Sequence, residues 1–394
     1  MQASKDEPAP AVPAPGPDCQ TLDLGAMSPE LTEWDQRAYQ RITSIQLSPE
    51  QTGRIVTPNT TYPRQEAVLA IHWHPEWIPM ELAMARVGAM FPNAGDRLII
   101  PTQHNQLLTL DGYAGVEVDC YSSGFNRKVQ LLLHFRADQV AGAEVLQSML
   151  LHTFKYRSGQ LFEFMASITD PALEDRLQQA AAETGASQDL VEFARLYTAK
   201  LQRLLEANES STPPEMIKNK LLAEYFDALR EHHPARVVNR VQMLIKAVKQ
   251  IVKRHFSLGY FYRASEVIEE VRGVGGGIVI PHPEQFWPIL LADYDVDGYE
   301  VWNPQSREYT DFLIKVVNRE NKVIRPGRRR LLLCMGDDTH MSEKAKDPGL
   351  QDRAKAGREV GLQPVWDEVA IRKSLMLAGV DRARVIEEYK ARLA

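Results

Sequence analysis

Six of the ten histidines in this chain of 394 residues stand where short apolar runs end. Ala67-Val-Leu-Ala-Ile71 runs into His72-Trp73-His74-Pro75-Glu76, and Arg97-Leu-Ile-Ile-Pro-Thr102 into Gln103-His104-Asn105. Val129-Gln-Leu-Leu-Leu leads to His134, Gly275-Gly-Gly-Ile-Val-Ile-Pro to His282, and Leu331-Leu-Leu-Cys-Met-Gly336 to Asp338-Thr339-His340. The run Tyr113–Asp119 carries Glu117 inside it. A single histidine ending a strand is more often a hydrogen-bonded core or rim residue. The same placement at six positions points instead to a metal centre. Imidazole nitrogens with carboxylate oxygens suit Zn, Mn or Fe, and no cysteine set supports a thiolate site. Residues two apart on a strand share a face, so both members of His72-x-His74 and Asp338-x-His340 can point inward.

Elements must bring these positions together across nearly 270 residues of chain. Short apolar runs alternate with helix-like segments over 67–150 and again over 264–342, which predicts an α/β fold with a parallel sheet or barrel. Strand ends meet on one face of a parallel barrel. Amphipathic patterns over 171–184, 187–208, 213–232 and 235–256 place a helical insertion at 151–263. Asp170-Pro171 and Thr212-Pro213-Pro214-Glu215 read as helix starts. Residues 1–18, with five prolines, read as a disordered arm, 19–66 as a flanking segment with a helix near 28–52, and 343–394 as a charged helical tail.

Composition narrows the class. The chain is 44% hydrophobic and 25% charged with a net charge of −6, so nothing in its overall charge favours nucleic acid or anionic membrane. Cys19, Cys120 and Cys334 are too few and too scattered for a disulfide framework, which fits a reducing, cytoplasmic setting. No apolar stretch nears the ~20 residues of a membrane span, and the N-terminus lacks a signal-peptide core. Cys120 and Cys334 read as small buried hydrophobes, and His232, His233 and His255 as solvent-facing. Gly273-Val-Gly-Gly-Gly277 precedes a strand and reads as a turn, not a phosphate loop.

Taken in order, the runs resemble the polymerase and histidinol phosphatase (PHP) superfamily of metal-dependent phosphoesterases. Its His-x-His resembles His72-Trp73-His74, and its Thr-Asp-His-Asn resembles Thr102-Gln103-His104-Asn105. Its Gly-x-Glu resembles Gly115-Val116-Glu117, and its next histidine is similar to His134. Its Ala-His-Pro resembles Pro281-His282-Pro283, and its Gly-x-Glu-x-x-Asn resembles Gly298-Tyr299-Glu300-Val301-Trp302-Asn303. Its closing Gly-Ser-Asp-Ala-His resembles Gly336-Asp337-Asp338-Thr339-His340. The resemblance covers about 67–135 and 273–342.

The resemblance implies a distorted (β/α)7 TIM-like barrel with two or three divalent metals (Zn, Mn or Fe) at its strand ends. His72, His74, Glu117 and Asp338 would hold one metal. Glu117 would bridge to a second held by His134 and His282, with His104 and His340 on a third. Two cations ~3.5–4 Å apart can bind a phosphate and acidify a water for in-line attack. The nucleophile would then be a metal-bound water, with no side chain assigned as catalytic. The family's Ser-Asp-Gly after the first motif is missing: Pro75-Glu76-Trp77 stands there, so that Glu76, Glu81 or neither completes the third set. Gln103 replaces the aspartate of Thr-Asp-His.

The expected function is that of a metal-dependent hydrolase, foremost a phosphoesterase. The alternative is a catalytically degenerate PHP-like binding or regulatory module. The expected partner is a small phosphorylated substrate, with a nucleic-acid end as a second option and no membrane. Arg236, Arg240, Lys246, Lys249, Lys253 and Arg254 line a predicted helix, and Arg325 with 328–330 forms a second basic cluster. Both read as solvated faces or as cations offered to phosphate, and neither has the interleaved aromatics of a nucleic-acid site.

Overall fold

The structure is a computed structural model that describes residues 27–323 and 329–394. The proline-rich arm expected over 1–18, Cys19, Arg325 and Arg328 lie outside the described residues. The chain divides into two compact units.

One unit takes the residues up to Ile42, Glu163–Ser210 and Lys220–Val252, and is built of helices. Glu174–Thr184 stops at Gly185, whose φ of +62° is the left-handed conformation that glycine adopts at least cost. Gln188–Ala207 starts at Ser187, whose side chain accepts from the Leu190 N–H. The helix expected from Thr212-Pro213-Pro214 is only a 3-10 turn, Pro214–Met216, and the α-helix begins at Asn219. Pro213 takes the capping position there and has no side-chain acceptor to offer. Buried Asp35 holds this unit's first helix, Glu33–Thr43, through Lys200 at 3.0 Å and Tyr225 at 2.7 Å.

The other unit takes Thr43–Phe162, Ser211–Asn219 and Lys253–Ala394 and contains every described strand. In chain order these are β1 (Ala67–Ala70), β2 (Trp73–His74), β3 (Asp96–Ile99), β4 (Leu108–Leu110), β5 (Tyr113–Ser122), β6 (Arg127–Arg136), β7 (Gly277–Ile280), β8 (Gly298–Trp302), β9 (Leu332–Met335) and β10 (Thr339–His340). β1 with β3 and β2 with β10 form separate two-stranded parallel sheets; the remaining strands form one sheet in the order β4-β5-β6-β7-β8-β9. β7, β8 and β9 are parallel and buried on both faces, as their Val, Ile and Leu content requires.

From β4 to β7 the pairing is antiparallel, unlike the parallel arrangement expected from alternation. For β4 with β5 and β5 with β6 the connections decide this. Asp111-Gly112, both at positive φ, and Ser123–Asn126 are too short for a parallel crossover.

Backbone bonds link the edges of the three sheets. The Ile100 and Thr102 N–H groups donate to the Ala70 and Trp73 carbonyls, and those of Asp338 and Met341 to His72 and His74. His104 pairs with Glu117 in a parallel bridge. Gly115 permits that crossing, because a Cβ there would lie 2.4 Å from the Pro101 carbonyl oxygen.

Three helices, Ala264–Gly273, Thr310–Glu320 and Arg382–Leu393, pack on these strands. Each fully buried Ile, Val or Leu adds roughly 1.5–3 kcal/mol. The last helix buries Val385, Ile386, Tyr389 and Leu393 against β1 and β3, so the charged tail ends as part of the core.

Candidate metal centre

Local backbone aims the ligand residues. β2 and β10 run in register, with His74 opposite His340 and Trp73 opposite Thr339. Ligand candidates and their neighbours hold conformations that side chains disfavour: Glu76 (φ +55°), Asn105 (+55°), His282 (+26°) and Asp338 (+46°). Asn105 fixes the turn after His104 by exchanging two 2.8 Å hydrogen bonds with Asp119.

The distances describe one continuous polar interior. Asp338 Oδ1 lies 3.3 Å from His74 Nε2, 3.5 Å from His340 Nε2 and 3.7 Å from His72 Nε2. Glu117 spans two groups, with Oε2 at 2.7 Å from His104 Nδ1 and 3.5 Å from His74 Nε2, and Oε1 at 3.6 Å from His282 Nε2. Three overlapping sets have their ligand atoms within 4.8 Å of one another: His74/His104/His340, His72/Glu117/His282 and His72/His74/Asp338. Two ligands ~2.1 Å from one tetrahedral ion stand roughly 3.4 Å apart, which is the spacing of most of these pairs.

Hydrogen bonding identifies which atoms are spare. His72 Nε2, both nitrogens of His74 and His282 Nδ1 are buried without a hydrogen-bond partner, an expensive arrangement for imidazoles. Glu117 Oε2 has none of good alignment either, despite the 2.7 Å approach of His104. An oxygen and nitrogen donor set of this kind fits a borderline divalent cation.

The charges fit as well. Burial opposes ionisation of Glu117, but the facing His104, His282 and His74 hold its carboxyl well below the usual range. Asp338 is held low in the same way against its burial, by His340, His74 and His72. Burial and the neighbouring His104 and His340 push His74 down to about 3, so it is a neutral donor. His72 is pushed up to about 10, because Glu300 outweighs burial.

Several of these partners were not expected from sequence. Glu300 Oε1 sits 2.5 Å from His72 Nδ1, and its Oε2 accepts from the His282 N–H at 2.9 Å. It was visible only as the acid of the Gly298-Tyr299-Glu300 run. Gly336 makes its room, since a Cβ there would fall 1.8 Å from Glu300 Oε1. Asp338 Oδ2 is taken by Gln305 at 2.5 Å and Arg358 at 2.6 Å, leaving Oδ1 for the histidines. Arg358 stands in the charged tail, where no pattern marks it.

His134, expected as a ligand, lies outside the three sets. Its Nδ1 meets the Tyr389 hydroxyl at 2.7 Å and its Nε2 the Ile71 carbonyl at 2.9 Å, so both nitrogens are engaged. Glu76 borders the sets: its Oε1 is 3.5 Å from His340 Nδ1 and 3.7 Å from Lys218, while Oε2 accepts from Ser342. Gln103 accepts from the Glu76 N–H at 3.1 Å. Glu81 joins none of the sets. Cys120 and Cys334 are buried free thiols, with pKa raised by burial. His233 is half-buried on the Tyr197 hydroxyl at 2.7 Å, not solvent-facing.

No protein-family model matches the chain, and no curated protein matches it. One solved structure it is similar to comes from Bifidobacterium adolescentis and is provisionally named a metal-dependent phosphoesterase. Identity is 15%, the TM-score is 0.37, and 81% of this chain and 99% of that one are covered, too distant a likeness to carry an argument.

Proposed function

We propose that the chain is a metal-dependent hydrolase of phosphate esters, built as a distorted (β/α)7 barrel of the PHP type. What carries this reading is the buried set of partnerless imidazole nitrogens interleaved with two ionised carboxylates. Burial of so many nitrogens without hydrogen-bond partners costs stability, and ion binding is the chemistry that offsets it.

His72, His74, Glu117, His282 and Asp338 would hold two ions, and His104 and His340 with His74 a third, bordered by Glu76. Zn, Mn or Fe would supply Lewis acidity toward a phosphoryl oxygen and a water acidic enough to ionise near neutral pH. The chain's own contribution is orientation and charge. Glu117 turns one oxygen to each histidine group, as a bridging anion must. Glu300 fixes the ring of His72 and the backbone of His282. Arg358 and Gln305 keep Asp338 to one outward oxygen. Lys218, 3.7 Å from Glu76, brings a cation to the same edge, which suits a small anionic substrate or a nucleic-acid end. No described helix is long and apolar enough to cross a membrane, and a cytoplasmic enzyme fits the free thiols.

The test is metal analysis after loading with Mn or Zn, followed by hydrolysis of nitrophenyl phosphate mono- and diesters. Two or more bound equivalents, with turnover abolished by Glu117→Ala, support the proposal. A protein that takes up no metal and stays inert would return the fold to a binding module. Bound metal without turnover of any phosphoester would move the substrate to another class.

A further inference from the structure

We infer that the exposed face of the helix Ala235–His255 binds the phosphate backbone of a nucleic-acid duplex. This inference stands apart from the metal centre and does not depend on it.

The charge distribution along the chain carries it. Between Glu231 and Glu266 there is no Asp or Glu, although the chain has 52 of them, and the same interval holds seven Lys and Arg. A chain of net charge −6 therefore concentrates a charge of +7 in one stretch. Other surface helices neutralise their cations with an acid four residues away, as in Arg54–Glu50, Lys220–Glu224, Lys315–Asp311 and Arg392–Glu388. The helix Ala235–His255 has no acid with which to do so.

Folding sorts these residues by face. Val238, Val241, Leu244, Ile245, Val248, Ile251 and Val252 are buried. The exposed positions Arg236, Arg240, Met243, Lys246, Gln250 and Lys253 follow one another at steps of three or four. They form a line about 26 Å long at 1.5 Å per residue. Arg240 also touches the Gly185 carbonyl at 2.5 Å, which anchors its guanidinium to the scaffold.

The identity of the polyanion follows from what the face lacks. Met243 is its one large exposed apolar residue, so the face has no ring on which bases of a single strand could stack and no wedge for a bilayer. A straight row of cations on a rigid rod suits a rail of phosphates, where affinity comes from releasing condensed counterions.

The experiment is fluorescence anisotropy of the full chain with a labelled 20-base-pair duplex of arbitrary sequence, in chelator so that metal plays no part. Binding independent of sequence is expected, with log K falling against log salt at a slope of about −3 to −4, as three or four phosphate contacts give. Arg236→Gln/Arg240→Gln/Lys246→Gln should flatten that slope by about 3 and weaken binding at 50 mM salt at least ~10-fold. Should circular dichroism show that the triple variant has lost helix, the three single variants decide, each lowering the slope by about 1. Undiminished binding by the variants, no binding at 50 mM salt, or tighter capture by phosphatidylserine vesicles or by a single strand of equal charge overturns the inference.

Discussion

Two regions of the strand-bearing unit bury comparable charge and treat it in opposite ways. Behind β1 and β3, Arg86 is clamped by Glu359 at 2.6 and 2.7 Å, and its third nitrogen donates to the carbonyls of Arg54, Ile55 and Thr57. Lys344 completes that group at 2.9 Å from Glu359. Every charge there is closed by an opposite charge or a carbonyl. At the strand ends, by contrast, His72, His74 and His282 carry buried nitrogens without partners while Glu117 and Asp338 remain ionised among them. Buried polarity that is complete holds a fold together. Buried polarity that is consistently incomplete, and all of one donor type, marks a place built for something the chain does not encode.

The contrast can be broken most forcefully at Arg86. Arg86→Ala should cost ~3–5 kcal/mol of unfolding free energy in denaturant, because it leaves Glu359 with Lys344 alone and takes the donor from three carbonyls, while bound metal per chain stays unchanged. A loss of metal without loss of stability would show the two regions to be one.

His134 sharpens the comparison from inside, since it is a histidine of the closed kind. Burial pushes it down from 6.5 to about 4. The unfolded chain therefore gains a proton before the folded one, and stability is complete above pH 6.5 and declines between 6.5 and 4. That decline should reach about 3 kcal/mol in wild type and be absent from the His134 contribution in His134→Gln, read from urea midpoints against pH. Metal content should be the same in both, and a fall in the variant would restore His134 to the ligand set.

The smallest effect falls on Arg358, which touches a ligand rather than a metal. Arg358→Gln should weaken metal binding ~10–100-fold in competition with a chelating dye, with little change in thermal unfolding of the metal-free chain. An unchanged affinity would make the Asp338 clamp a packing feature only.

Residue type and placement pointed to most of the side chains that the structure gathers, since a strand followed by His or Asp is readable at each of His72, His74, His104, His282, Asp338 and His340. The same rule also admitted His134, because it registers that a histidine follows an apolar run and not which partners it meets. Those partners, Tyr389 and the Ile71 carbonyl, are remote along the chain or belong to the backbone. Glu300 escaped for a related reason: its strand looks like any buried one, and only the missing Cβ of Gly336 reveals that a carboxylate fits there. Asp111-Gly112 is a tight-turn pattern that played no part in the expectation; alternation of apolar and helical segments alone suggested parallel neighbours. Arg358 lies in a segment of mixed charge where one guanidinium cannot be told from the next.

Asp338 sits at a φ of +46°, a conformation that asparagine and aspartate tolerate far better than branched or bulky residues do. Asn is therefore the exchange at 338 that alters electric charge while keeping the side chain's size and sparing the backbone its torsional discomfort. Alanine scanning would confuse two losses at this position, whereas Asp338→Asn separates them, and the same logic makes glycine the informative replacement for Glu76.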